Sequence, residues 1–138
     1  MSSPISDHAR DVLARSLPLV HPRKDRIIDR MELHLRGADD EESSGRSEVA
    51  AMLLVLLLLD QVRNLVESGE LAAADGIRDE HRALGIDGRH YSRFGDALVP
   101  ILRDVLGANV PREVAGTWCD AFWTIVRHME PQREVAPA

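Results

Sequence analysis

Val49-Ala50-Ala51-Met52-Leu53-Leu54-Val55-Leu56-Leu57-Leu58-Leu59 is apolar on every side of a helical wheel. Such a helix is buried on several faces rather than along one stripe, so other helices have to cover it. The run is shorter than the ~20 apolar residues that cross a bilayer, and polarity returns at Asp60, Gln61 and Arg63. On both sides the apolar residues recur at helical spacing, and no segment alternates cleanly enough for a strand.

Upstream, Val12, Leu13 and Leu17 predict a first helix from about Asp7 to Leu17, which Pro18 is expected to end. The joint His21-Pro22-Arg23-Lys24 leads to a second helix carrying Ile27, Ile28, Met31 and Leu35. The acidic stretch from Gly37 to Gly45 reads as an exposed loop. Downstream, Ser68-Gly69 breaks the central helix. A short helix is predicted from Glu70 to Arg82, with Leu71, Ala74, Ile77 and His81 on one stripe and Gly85 as its stop. Tyr91, Phe94, Leu98, Ile101 or Leu102, and Val105 mark the next helix, which ends at Gly107 and has Pro100 as a kink point inside it. Asn109-Val110-Pro111 starts the last, which carries Val114, Trp118, Phe122, Ile125 and Met129. Residues 1–138 therefore read as one all-α domain of six helices with a polar tail from 131 and no internal repeat.

The 138 residues carry 17 Lys and Arg against 23 Asp and Glu, a formal charge of −6. That balance argues against nucleic-acid binding, which needs a basic surface. With 44% apolar and 29% charged residues, the composition is that of a globular chain. Cys119 is the single cysteine, so no disulfide framework exists, and on an apolar helix it reads as packing. No secretory signal is visible, and a cytoplasmic protein without membrane attachment is expected. The other histidines do not pair at metal-ligand spacing. The acidic loop lacks the alternation of a calcium site, and no Gly-rich phosphate loop occurs.

Asp79-Glu80-His81-Arg82-Ala83-Leu84-Gly85-Ile86, followed by Arg89-His90-Tyr91-Ser92-Arg93-Phe94-Gly95, resembles the proximal segment of bacterial globins, specifically the globin domain of flavohemoglobins. Ser47 to Leu65, Leu17 to Glu32 and Glu113 to Phe122 extend the similarity, which covers roughly residues 11–130. The resemblance implies a single-domain, globin-like fold of six or more helices with a shortened loop before the distal helix. It implies haem b, with His81 on the iron and Tyr91 beside that histidine. Ser47, Ala51, Met52 and Met31 would lie about the haem, with Leu54 also filling the distal space. Glu130 or Glu134 would supply a carboxylate near the proximal side.

The chain departs from the family pattern at three places. Glu32 stands where the family has a distal tyrosine. Ile28 and Leu35 put Glu32 on the inward stripe, where a carboxylate must be protonated, paired or functional; alternatively it sits at the stripe's edge and pairs with Arg36. Ser47 and Ala51 are smaller than their family counterparts, and the wedge phenylalanine of the missing loop is absent. The sequence contains no flavin- or nicotinamide-binding part, so a separate reductase would deliver electrons.

Three functions emerge as expectations. The first is a haem globin that binds a small gas such as O2 or NO for sensing, storage or detoxification. The second is a haem enzyme with Glu32 as a distal acid or base. The third is a haem-free globin-like interaction module, possible as a homodimer.

Overall fold

In a computed structural model of the chain, which describes residues 4–36 and 44–129, the first helix, α1, spans Asp7–Val20. Ser6 starts it: its hydroxyl accepts the Ala9 N–H at 3.0 Å, and Asp7 places negative charge at the positive end of the helix. Pro18 does not end α1. The helix passes through it, gives up one backbone hydrogen bond, and tightens at His21–Arg23 into a 3-10 turn with Pro22 in its opening position. Helix α2, Lys24–Leu35, comes next with no non-helical residue between.

Helix α3, Ser44–Ser68, is the longest. Gly69 terminates it, and Arg10 of α1 donates to the Val66 carbonyl at 2.9 Å through one guanidinium nitrogen, satisfying one of the open carbonyls at the helix end. Helix α4 is Ile77–Ala83, α5 is Gly88–Leu106 and α6 is Arg112–Met129. Counting α1, the 3-10 turn and α2 as one bent path, the described residues form five separate helical bodies, not the six expected, and no strand. The expected break at the proline joint is a bend, because Pro22 fits the opening turn of a helical segment. The acidic loop and its shortening, from 37 to 43, lie outside the described residues.

Packing obeys the apolar spacing. Helix α2 turns Ile27, Met31 and Leu35 inward and lies against α3 and α5, while α1 covers α3 and α6. Phe94 of α5 and Phe122 of α6 meet with ring centroids 4.4 Å apart. Helix α3 buries Ala50, Ala51, Leu54, Val55, Leu58, Leu59, Val62 and Leu65. It is not covered all round, as its apolar wheel predicts, since Met52 and Leu56 are exposed. Its stretch Arg46–Ser68 is long and apolar enough, by length and composition, to cross a membrane. Half of its most apolar window is buried in the fold, as the central helix of a bundle requires.

The helix expected from Glu70 to Arg82 forms only in its second half. Gly76 adopts φ +81°, a left-handed conformation that interrupts an α-helix, and α4 begins at the next residue. The preceding chain is held open from outside. The Gln61 amide of α3 accepts the Ala72 N–H at 2.8 Å and donates to the Ala72 carbonyl at 3.2 Å. His128 of α6 approaches the same carbonyl at 2.9 Å through Nε2.

One buried polar bridge ties α1 to α6. The Trp118 indole N–H donates to the Ser16 hydroxyl at 2.8 Å, and that hydroxyl donates to the Val12 carbonyl at 2.6 Å. Ser16→Ala leaves the indole N–H without its acceptor in a buried site. The expected cost is about 1–3 kcal/mol, read as a lower urea midpoint with an unchanged m-value. A Ser16→Ala/Trp118→Phe double variant should recover part of that loss beyond the sum of the single changes.

Candidate functional site

Helix α4 is short because both ends are fixed. It starts after Gly76, and Gly85, at φ +82°, turns the chain away after it. The Leu84 and Ile86 N–H groups both return to the His81 carbonyl, at 3.0 and 2.8 Å. Asp87 then opens α5: its carboxylate accepts the Arg89 N–H at 2.9 Å, and the His90 ring accepts the Asp87 N–H at 3.2 Å. The Arg89 guanidinium beside it holds the Asp87 carboxyl below the usual range, chiefly by side-chain hydrogen bonding against a smaller opposing effect of burial. This cap sets the first turn of α5, and Tyr91 stands on it.

The Tyr91 hydroxyl lies 2.8 Å from His81 Nδ1, and both side chains are buried. The Arg78 guanidinium stacks on the Tyr91 ring, 5.7 Å from its centroid. Among the described residues, no hydrogen-bond partner reaches His81 Nε2. The contact forms in either tautomer: Tyr91 donates to Nδ1 and the proton lies on Nε2, or Nδ1–H donates to the tyrosine oxygen and the lone pair lies on Nε2.

Burial supports the neutral ring. Desolvation lowers the His81 pKa, outweighing Glu80, whose charge raises it. Desolvation likewise raises the Tyr91 pKa, against the opposing charges of Arg78 and Arg82 and with a smaller push from Asp87. The pair is therefore a neutral imidazole held by a neutral phenol. That arrangement can present one nitrogen lone pair to an electrophile or metal.

The other residues singled out in the sequence divide between core and surface. Ser47 and Ala51 are fully buried one turn apart on α3, and Met31 is fully buried on α2, which packs against that helix. Leu54 is buried as well. Met52 points elsewhere: with Glu48 before it and Leu56 after it, it belongs to the exposed stripe of α3 and does not fill space beside Ala51. Glu32 takes the edge position, its carboxylate accepting from the Arg36 guanidinium at 2.8 Å with the side chain about one-fifth exposed. The inward stripe of α2 runs through Met31 instead. Glu130 and Glu134 lie outside the described residues.

Cys119 donates to the Gly95 carbonyl at 3.4 Å, and burial first, then Asp120, push its thiol pKa up, so it stays protonated. Among the described residues, no three His, Cys, Asp or Glu side chains gather closely enough to hold a bare metal ion. A metal that brings most of its own ligands needs only one from the protein, and His81 Nε2 fits that requirement.

Sequence reasoning missed Gln61 and Arg78. A glutamine spaced three and four residues from Leu58 and Leu65, on the stripe of α3 that faces inward, was the signal for the first. For Arg78 no sequence signal distinguishes it from other surface arginines. Comparison with protein-family models, with curated proteins and with solved structures finds no match to this chain.

The lowered His81 pKa makes stability depend on pH. Below about 6.5, the ordinary imidazole value, the unfolded chain takes up a proton that the folded chain refuses. Stability is therefore fullest above that pH and falls as pH drops toward the lowered folded-state value. Thermal melting between pH 7.5 and 5 should show a shallower acid loss for His81→Gln than for the parent chain, and equal slopes would remove His81 as the cause.

Proposed function

We propose that this chain is a haem-binding protein of globin type, with His81 Nε2 as the iron ligand and a small gas such as O2 or NO as the molecule bound. The observation that carries the reading is the buried His81–Tyr91 pair: Nδ1 is engaged at 2.8 Å and Nε2 has no partner among the described residues. A buried single imidazole, with no metal-binding cluster among the described residues, suits iron that arrives already held by four porphyrin nitrogens. Bound haem would supply an iron atom with a further position open to a gas.

The chain's own residues do the rest. Tyr91 fixes the ring orientation and tautomer of His81, and Arg78 and the Asp87 cap hold Tyr91 in turn. Glu32 does not strengthen the enzyme alternative, because its carboxylate is already paired to Arg36 at the edge of α2. The haem-free alternative rests on a specific observation: Ser47, Ala50, Ala51 and Leu54 are fully buried by protein atoms alone. In that reading His81 is a core histidine satisfied by tyrosine.

Hemin reconstitution separates the two. A haem protein gives a Soret band at one haem per chain, and His81→Ala abolishes stoichiometric binding while the helical circular dichroism persists. Protein that stays colourless with hemin favours the interaction module. In the loaded ferrous protein, Tyr91→Phe should shift the iron–histidine stretching frequency, since the Nδ1–H loses its acceptor; an unchanged band would take Tyr91 out of that role.

A further inference from the structure

The outward side of α3 is as apolar as its buried side. Met52 and Leu56 are 43% and 37% exposed, and Val49, Leu53 and Leu57 beside them are only partly covered. A helix on the surface of a bundle carries polar residues on its outer face, yet no polar residue occurs between Val49 and Leu59. Half of the most apolar window of α3 is left outside the core, so the fold covers one face of this helix and leaves a contiguous stripe unpartnered.

Charge frames that stripe. At about 100° per residue, Glu48, Met52 and Arg63 fall on one flank of Leu56, and Val49, Leu53, Asp60 and Arg46 fall on the other. Arg46 and Glu48 stand where the stripe begins, Asp60 and Arg63 where it ends. All four are exposed, and none forms an ion pair with a described residue. Turned end over end about a two-fold axis across its midpoint, the stripe complements itself. Glu48 then meets Arg63 of the second copy along one flank, Arg46 approaches Asp60 along the other, and Met52 lies beside Leu56 at the centre. Antiparallel packing also opposes the two helix dipoles. Lipid suits the stripe less well, because charges border it at both ends and a chain of formal charge −6 is repelled by anionic headgroups.

We infer that α3 packs antiparallel against α3 of a second copy of this chain across a two-fold axis, with Met52 and Leu56 at the centre of the interface. The inference does not depend on what His81 binds. From Arg46 to Arg63 the stripe is about 26 Å long. A single helix pair of that length lies at the small end of stable interfaces, so the dimer dissociates on dilution in the micromolar range.

Sedimentation equilibrium from low micromolar to millimolar concentration tests this pairing. The parent chain should rise from one chain mass to two and stop there, as a closed two-fold interface requires. Leu56→Glu enters the interface twice and should weaken association about a hundredfold. Its helical circular dichroism and urea midpoint should be unchanged, because position 56 already meets solvent. Glu48→Arg should weaken association about tenfold, and Glu48→Arg/Arg63→Glu should restore it, since the antiparallel register sets those two residues against each other. The exposed pair at 48 and 63 decides the matter even if Leu56→Glu folds poorly. A parent chain that stays monomeric throughout, or association that survives both Leu56→Glu and Glu48→Arg, overturns the proposal. So does a monomer that instead co-sediments with phosphatidylcholine vesicles, because the occupant is then lipid. Failure of the double exchange to restore association overturns the antiparallel register.

Discussion

Covering one long apolar helix is the constraint that organises this molecule. Helix α3 runs for 25 residues, and its inward face carries eight aliphatic side chains with almost no exposure. At roughly 25 cal/mol for each Å² of apolar surface removed from water, such a face outweighs any single polar contact in the fold. Helices α1, α2 and α6 supply the cover, and α5 closes the other side of α2 and α6. Helix α4 belongs to none of those layers. It hangs between a loop clamped by Gln61 and the cap of α5, so its position is set by hydrogen bonds and left-handed turns rather than by a broad apolar face.

That placement gives His81 its chemistry. A histidine on a well-packed helix is simply another core residue. Here the imidazole sits on a segment of barely two turns whose two ends are held separately, and one ring nitrogen is committed to Tyr91. Desolvation keeps the ring neutral, and the second nitrogen is left with no protein partner among the described residues. The basicity of that nitrogen is therefore set from the opposite side of the ring, through the phenol and the arginine stacked on it.

Most of the scaffold was legible in the sequence because its helices carry strong three- and four-residue apolar spacing. The stripes of α5 and α6, from Tyr91 to Val105 and from Val114 to Met129, are buried as their periods indicate. What misled was local chemistry overruled by neighbours. Pro18 reads as a stop, but a helix end already leaves groups unpaired, and the lost bond there is tolerated. Leu71 and Ala74 share a period with Ile77, yet Gln61 captures the backbone at Ala72 and Gly76 turns left-handed. Glu32 satisfies the inward spacing of Ile28 and Leu35, and an arginine one turn on draws it to the edge. The His81–Tyr91 pairing was accessible through resemblance, whereas Arg78 on the Tyr91 ring depends on a tertiary approach that no local pattern encodes.

The fixed ends of α4 make its length a matter of angle. Each residue of an α-helix advances the side-chain direction by about 100°. Between Gly76 and His81 the chain has no slack to absorb an added or missing residue, because the left-handed turn upstream and the Gln61 clamp hold the entry point. A single-residue insertion there would swing the imidazole about a quarter turn around the helix and carry its two nitrogens away from the phenol. Drift in length should therefore be far less tolerated in this stretch than exchange of the exposed side chains within it.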